Sequence, residues 1–177
     1  MHNLTIGAGG DYQTPIQALN DLYAAITITD SYTFTLISNI HDPFSIAYGG
    51  MRMQIGNHDV IFRNPNHYSV TIEDYILLWV YSNGKGKFIF DGMLIDVDNA
   101  IIPAIPIAVI CNHWHDGHKR AELRISNCKV NCKGRWDWGI ELDCDFSIKA
   151  NLTCINNIVS GAKWGGINAT SYPQVTP

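Results

Sequence analysis

Acidic, aromatic and histidine residues in patterns that suggest binding or catalysis lie mostly in the last third of this chain. In GIELDCD (139–145) apolar and acidic residues alternate. Read as a strand, this places Ile140, Leu142 and Cys144 on one face and Glu141, Asp143 and Asp145 on the other. Neighbouring carboxylates on such a row stand about 6.5–7 Å apart along the strand. That is near the separation of the two acids in an inverting glycoside hydrolase, and such clusters also hold calcium. A row of alternate acids on a sheet face is also ordinary solvated surface, and both readings stand at this point.

Two other groups could carry function. Trp136, Asp137 and Trp138 sit in one turn, and a 27-residue offset sets Trp164 beside them. Such a cluster suits stacking on sugar rings, an aromatic anchor in a protein interface, or packing of a turn onto its own domain. In NHWHDGHKR (112–120), His113, His115 and His118 surround Asp116. A His-x-His spacing can bind a transition metal, and in a homotrimer it would be triplicated near the axis. The plainer reading is a polar loop that happens to be rich in histidine.

The strands that would carry these groups are read from a repeat. LRISNCKVNCKGRWDWGIELD (123–143) lies over ANLTCINNIVSGAKWGGINAT (150–170), with Gly134 on Gly161, Gly139 on Gly166, Ile140 on Ile167 and Ile125 on Leu152. A period of this size in short strands is a solenoid signature. Earlier strands are read at 32–38, 44–48, 51–56, 59–64, 68–73, 76–82, 87–97, 107–112 and 121–126, separated by Asp-Pro, Gly-Gly, Gly-Asn, Asn-Pro and Asn-Gly turns. One column starts at Leu77, Ile107, Ile140 and Ile167; a second stacks KFIFDGMLIDV, AELRISNCKVN and ANLTCINNIVS. In that register Leu78, Val80, Ala108 and Ile110 point outward as an apolar strip, which calls for cover by a loop, another subunit or a partner.

Composition bounds the answer. The 177 residues fit one domain. Only 16% of them are Asp, Glu, Lys or Arg, and the net charge of −4 with scattered basic residues argues against a nucleic-acid groove. No apolar run approaches the roughly 18 residues of a spanning helix, and the start does not read as a signal peptide, so no membrane partner is expected. Five cysteines, an odd number without two matched pairs, read as buried thiols. The Asn3, Asn151 and Asn168 sequons read as incidental.

The N-terminal stretch opens with strand LTI, then GAGGDYQT, then a helix over 14–26. Thr14 caps the helix, Pro15 takes its first position, and Ile16, Leu19, Tyr23 and Ile26 share a face. GAGG lacks the GxGxxG spacing and any following Gly-Lys-Ser/Thr, so it reads as a turn. TIGAGGDYQTPIQALNDL resembles the opening of pectin lyase-like right-handed β-helix proteins, with Pro15 intruding between Thr14 and Ile16. The resemblance implies an all-β, right-handed parallel β-helix over 1–170, capped by the 14–26 helix and followed by an extended tail over 171–177. The family's lyase, esterase and polygalacturonase motifs cannot be laid on the chain.

The resemblance therefore implies a non-enzymatic structural protein of a tailed-phage virion, a head decoration or fibre or a tail spike or fibre. It would dock to other virion proteins or to itself, as a trimer in the spike case, and need no cofactor. The alternative is a polysaccharide-degrading or glycan-binding β-helix protein. If the histidine loop holds a metal, its content rises between pH 5 and 7.5 as the imidazoles lose protons; metal-free protein at neutral pH in a metal analysis counts against the site.

Overall fold

The computed structural model describes residues 1–24, 27–42, 51–72, 77–81, 85–97, 107–111, 120–132, 138–144, 149–163 and 165–171. β1 (His2–Ile6) and α1 (Pro15–Ala24) precede a motif of three strands that recurs down the chain. β2 (Tyr32–Leu36), β3 (Ile40–Asp42) and β4 (Met51–Gln54) make the first coil. β5 (Val60–Arg63), β6 (Ser69–Ile72) and β7 (Leu77–Tyr81) make the second, and β8 (Phe88–Asp91), β9 (Leu94–Val97) and β10 (Ile107–Cys111) the third. β11 (Arg120–Ser126), β12 (Lys129–Asn131) and β13 (Trp138–Cys144) follow, then β14 (Lys149–Ile155), β15 (Ile158–Ser160) and β16 (Gly165–Ser171).

Each strand pairs in parallel with its equivalent one coil away. The first sheet runs β1-β2-β5-β8-β11-β14, the second β3-β6-β9-β12-β15 and the third β4-β7-β10-β13-β16. Parallel neighbours need a long crossover, and here the other two sides of the coil supply it. The chain is a three-sided parallel β-helix.

Alternation along each strand turns one set of residues inward, and the register stacks like on like. In the first sheet Leu4, Phe34, Phe62, Phe90, Ile125 and Cys154 form one internal column. Phe34 and Phe62 stack with centroids 5.0 Å apart, and Phe62 and Phe90 at 5.4 Å. In the second sheet Ile40, Val70, Ile95, Val130 and Val159 form a β-branched column, which suits the stiff rotamers of such side chains on a pleated surface.

Corners between the first and second sheets are held by residues in the left-handed conformation. Gly92 (φ 71°), Asn127 (φ 55°) and Asn156 (φ 53°) occupy equivalent places; Gly and Asn adopt this conformation at least cost. The corner amides of Gly92 and Asn127 donate to Ser126 O and Ile155 O of the following coil, each at 2.9 Å. Side chains at the corners form a ladder: Asn156 Nδ2 donates to Asn127 Oδ1 (3.5 Å), and Asn127 Nδ2 to Asp91 Oδ1 (2.9 Å). One coil earlier the corner is wider, and buried Asn64 closes it, accepting from Tyr68 N (2.9 Å) and donating to Tyr68 O (2.7 Å).

At the N-terminal end α1 covers the interior. Thr14 Oγ1 accepts from Gln17 N (3.3 Å), while the Gln17 side chain reaches back to Gln13 N (2.8 Å), a variant of the capping box. Ala18, Leu19 and Leu22 are buried and Leu19 is the one member of the expected apolar face among them. The helix is described to Ala24 and packs on β4.

Several register expectations are corrected. Leu123 lies over Leu152 and Ile125 over Cys154, an offset of 29 that persists through Lys129 over Ile158, so Ile125 is not over Leu152. The offset of 27 holds only from Trp138 over Gly165 onward, which keeps Ile140 on Ile167; Gly134 lies outside the described residues. Gly92, Asn127 and Asn156 split each member of the second predicted column into two strands on different sheets. The predicted strand 44–48 lies outside the described residues, and β16 runs to Ser171, the first residue of the expected tail.

The Gly139 and Gly166 pair has a steric reason. A Cβ on Gly139 would stand 2.2 Å from Val159 Cγ1 and 3.1 Å from Gly166 O, so the third sheet can approach the second only without a side chain there. Gly139→Ala should cost about 1–3 kcal/mol by overpacking, and Phe62→Ala about 3–5 kcal/mol by opening the aromatic column. Both are read as lower midpoints in urea unfolding with an unchanged slope.

Candidate functional site

In the third sheet the set of positions that alternates with Ile140 brings together residue types that could bind a ligand or partner. Ile140 is fully buried, so the positions alternating with it form the other set. Register places Arg52 beside Trp79, Trp79 beside Ile110, Ile110 beside Asp143 and Asp143 beside Thr170. The adjoining row runs Leu77, Ala108, Glu141 and Asn168. Glu141 and Asp143 thus share the alternate set expected of them, while Asp145 lies outside the described residues.

The four residues of the expected apolar strip do not share one set of positions. Leu77 pairs with Ala108 rather than Ile107, Leu78 with Val109, and Trp79 with Ile110. A slip of one residue moves a strand's positions to the opposite face. Leu78 and Val80 therefore belong to the set of Met51, Met53 and buried Ile140, whereas Ala108 and Ile110 fall in the rows of Glu141 and Asp143. Counting across 98–106, with its two prolines, concealed the slip and with it Arg52 and Trp79, which strict alternation in MRMQ and LLWVY would have paired.

Trp138 opens β13 opposite Gly165; Trp136 and Trp164 lie outside the described residues. So do His113, His115 and His118.

The outer face of the second sheet carries a shallow groove of about 370 Å³ between Leu94, Asp96, Lys129, Asn131, Ile158 and Ser160. Asn131 Nδ2 donates to Asp96 Oδ1 at 2.9 Å. On the first sheet Lys87 Nζ meets Glu122 Oε1 at 2.9 Å, a partly exposed pair of small energetic weight.

The GAGG segment is a turn, as its composition predicts. Asp11 Oδ2 accepts from Thr5 N and Thr5 Oγ1, both at 2.8 Å, and Gly7 N donates to Tyr12 O. These bonds hold the Asp11 carboxyl below the usual range, with the Thr5 amide as the largest cause. Ala8 N donates to Ser38 Oγ at 2.8 Å, so this amide serves the fold.

Of the cysteines, Cys128 and Cys132 are buried and Cys154 half-buried, all as free thiols. Burial pushes the Cys128 thiol up to about 11, and its Sγ–H donates to Ser126 O at 3.2 Å. It is a core group and a poor nucleophile.

The beginning of α1 and the parallel coils agree with the expected β-helix. No family model, no curated protein and no solved structure matches the chain.

The Cys128 environment carries a pH signature. A thiol pushed up on folding leaves stability intact below the unfolded value and removes it as pH rises through the folded one. Tyr12 is also shifted upward, by burial first. Unfolding free energy from urea titrations should therefore be flat from about pH 7 to 8.5 and fall between about 9 and 11. Cys128 should resist iodoacetamide at pH 8 in native protein and react once the protein is unfolded.

Proposed function

We propose that this protein is a non-enzymatic structural component of a tailed-phage virion, a head decoration or fibre or a tail spike or fibre, that works by docking its solenoid to another subunit. The observation that carries the reading is the contrast between the last two coils. Ile140 is 0% exposed and Ile167, directly beneath it, is 45% exposed. Leu123 and Ile125 are fully buried, while Leu152 and Cys154 under them are only partly so. Among the described residues no strand pairs with the far edges of β14, β15 and β16. Backbone groups on such edges are a template for another chain, and partly exposed core residues add an apolar contact.

The resemblance of TIGAGGDYQTPIQALNDL to pectin lyase-like β-helix proteins supports the phage assignment, because small β-helices of this kind occur in phage structural proteins. The chain would then be found in assembled particles. Mass spectrometry of particles purified from the encoding phage should detect it at a fixed ratio to the major head or tail protein. Its presence only in the unassembled fraction would reject the assignment.

A second reading is a glycan-binding or polysaccharide-degrading protein, and the row that aligns Arg52, Trp79 and Asp143 favours its binding form. A panel of acidic and neutral polysaccharides separates the two. The structural reading expects no new reducing ends or unsaturated products; turnover abolished by Asp143→Ala would establish the enzyme instead.

A further inference from the structure

We infer that the end formed by β14, β15 and β16 docks a second copy of this chain, tail to tail about a two-fold axis that passes through β15. The inference rests on the docking reading above and names the partner. Three observations lead to it.

The two ends of the solenoid are unlike. At the N-terminal end α1 and the turn after β1 cover the interior, with Ile6, Ala18, Leu19 and Leu22 all 4% exposed or less. At the other end Ile167 is 45% exposed and three strand edges lack neighbours among the described residues. Head-to-tail stacking would have to displace the helix, and it would grow without limit. Tail-to-tail contact uses one surface twice and closes at two copies.

The last coil has the composition of an interface. Between Lys149 and Ser171 its only charged residues are Lys149 and Lys163, and it contains no proline. Edges that stay in water are usually blunted by charge, proline or bulges. β15 (IVS) and β16 (GGINATS) carry neither charge nor proline.

Strand lengths select the axis. A two-fold perpendicular to the solenoid reverses the direction of winding, so the edges meet antiparallel. It maps one side of the coil onto itself and exchanges the other two. β14 and β16 have seven residues each and β15 has three. Only an axis through β15 matches seven with seven and three with three. Val159, the middle residue of β15, then faces its own copy. Ile158 N donates to Cys128 O and Ser160 O accepts from Cys132 N, so both point back into the solenoid. By alternation the Val159 N–H and C=O point to the open side, where two copies exchange both bonds.

Sedimentation equilibrium of the full chain tests this. A reversible monomer–dimer equilibrium is expected, and Ile167→Lys or Val159→Pro should weaken it by about tenfold or more with the far-ultraviolet circular dichroism kept. Ile158→Pro, which removes a bond within the fold, should instead lower thermal stability. If the first two variants fail to fold, hydrogen exchange on the unaltered chain decides: the Val159 amide should exchange more slowly as concentration rises. A monomer at every concentration, a trimer, an open polymer, a dimer untouched by both end variants, or concentration-independent Val159 exchange overturns the inference. Dimerisation only after removal of residues 172–177 also overturns it, by assigning the end to the chain's own last residues. A monomer that is nonetheless found in virions would leave the docking reading standing and remove only the second copy.

Discussion

The structure depends on the tight corner between its first and second sheets. The chain turns there within one or two residues and must still land one rung, about 4.8 Å, from the coil before it. Only a left-handed residue makes so sharp a turn, and Gly92, Asn127 and Asn156 provide it. Gly92 is constrained twice, because a Cβ there would also stand 2.8 Å from Asn64 O. Since the corner has no slack, the two sheets it joins move in lockstep. Phe88 to Leu123 and Leu94 to Lys129 are both steps of 35, and Leu123 to Leu152 and Lys129 to Ile158 both steps of 29. Where Asn64 closes a wider corner the lockstep breaks: Val60 to Phe88 is 28 and Ser69 to Leu94 is 25.

Length variation is therefore pushed into the corners that lead to and from the third sheet, whose steps run 31, 33 and 27 from Leu77 through Ala108, Ile107 to Ile140, and Ile140 to Ile167. The interior responds differently on each side. The first sheet fills the coil with phenylalanine, the second with β-branched residues, and the third comes so close at Gly139 that Val159 leaves no room for a methyl group. Packing at organic-crystal density makes each of these choices depend on the other two.

This explains how much was legible in the amino-acid sequence. Ile140 over Ile167 was readable because the final step is short and both strands enter through Gly-Ile. Thr14 and Pro15 announced α1 because capping chemistry is local. Leu78 and Val80 fall in the opposite set from the expected one, whereas Ala108 and Ile110 keep theirs, because register across a corner insertion is set by stacking, which leaves no trace in residue counts; with a side-chain period of two, an error of one inverts the set. The split at Asn127 was missed because Asn-Cys and Asn-Asn look like strand interior until the αL conformation is known. Of the candidate site, the alternation of Glu141 and Asp143 is legible, but the row that runs from Asp143 through Ile110 to Trp79 and Arg52 is not, since those residues come from coils about 30 to 90 residues earlier.

The corrected rows also bear on what the third sheet can do. Arg52 and Asp143 lie in one row but three rungs apart, from β4 through β7 and β10 to β13. At about 4.8 Å per rung their backbones are roughly 14 Å apart, and the row holds one acid, whereas glycoside hydrolysis uses two carboxyl groups about 5–9.5 Å apart. Glu141 and Asp143 are closer, on a single strand, but their rows hold Ala108 and Ile110 one rung away. The row holds a cation position, an aromatic position one rung on and an acid position two rungs beyond that. That arrangement suits contact with something long, a chain of sugars or the side of another solenoid, better than proton transfer at a point. It fits a molecule whose inward residues are committed to stacking and whose outward residues are spaced by the rungs that stacking creates.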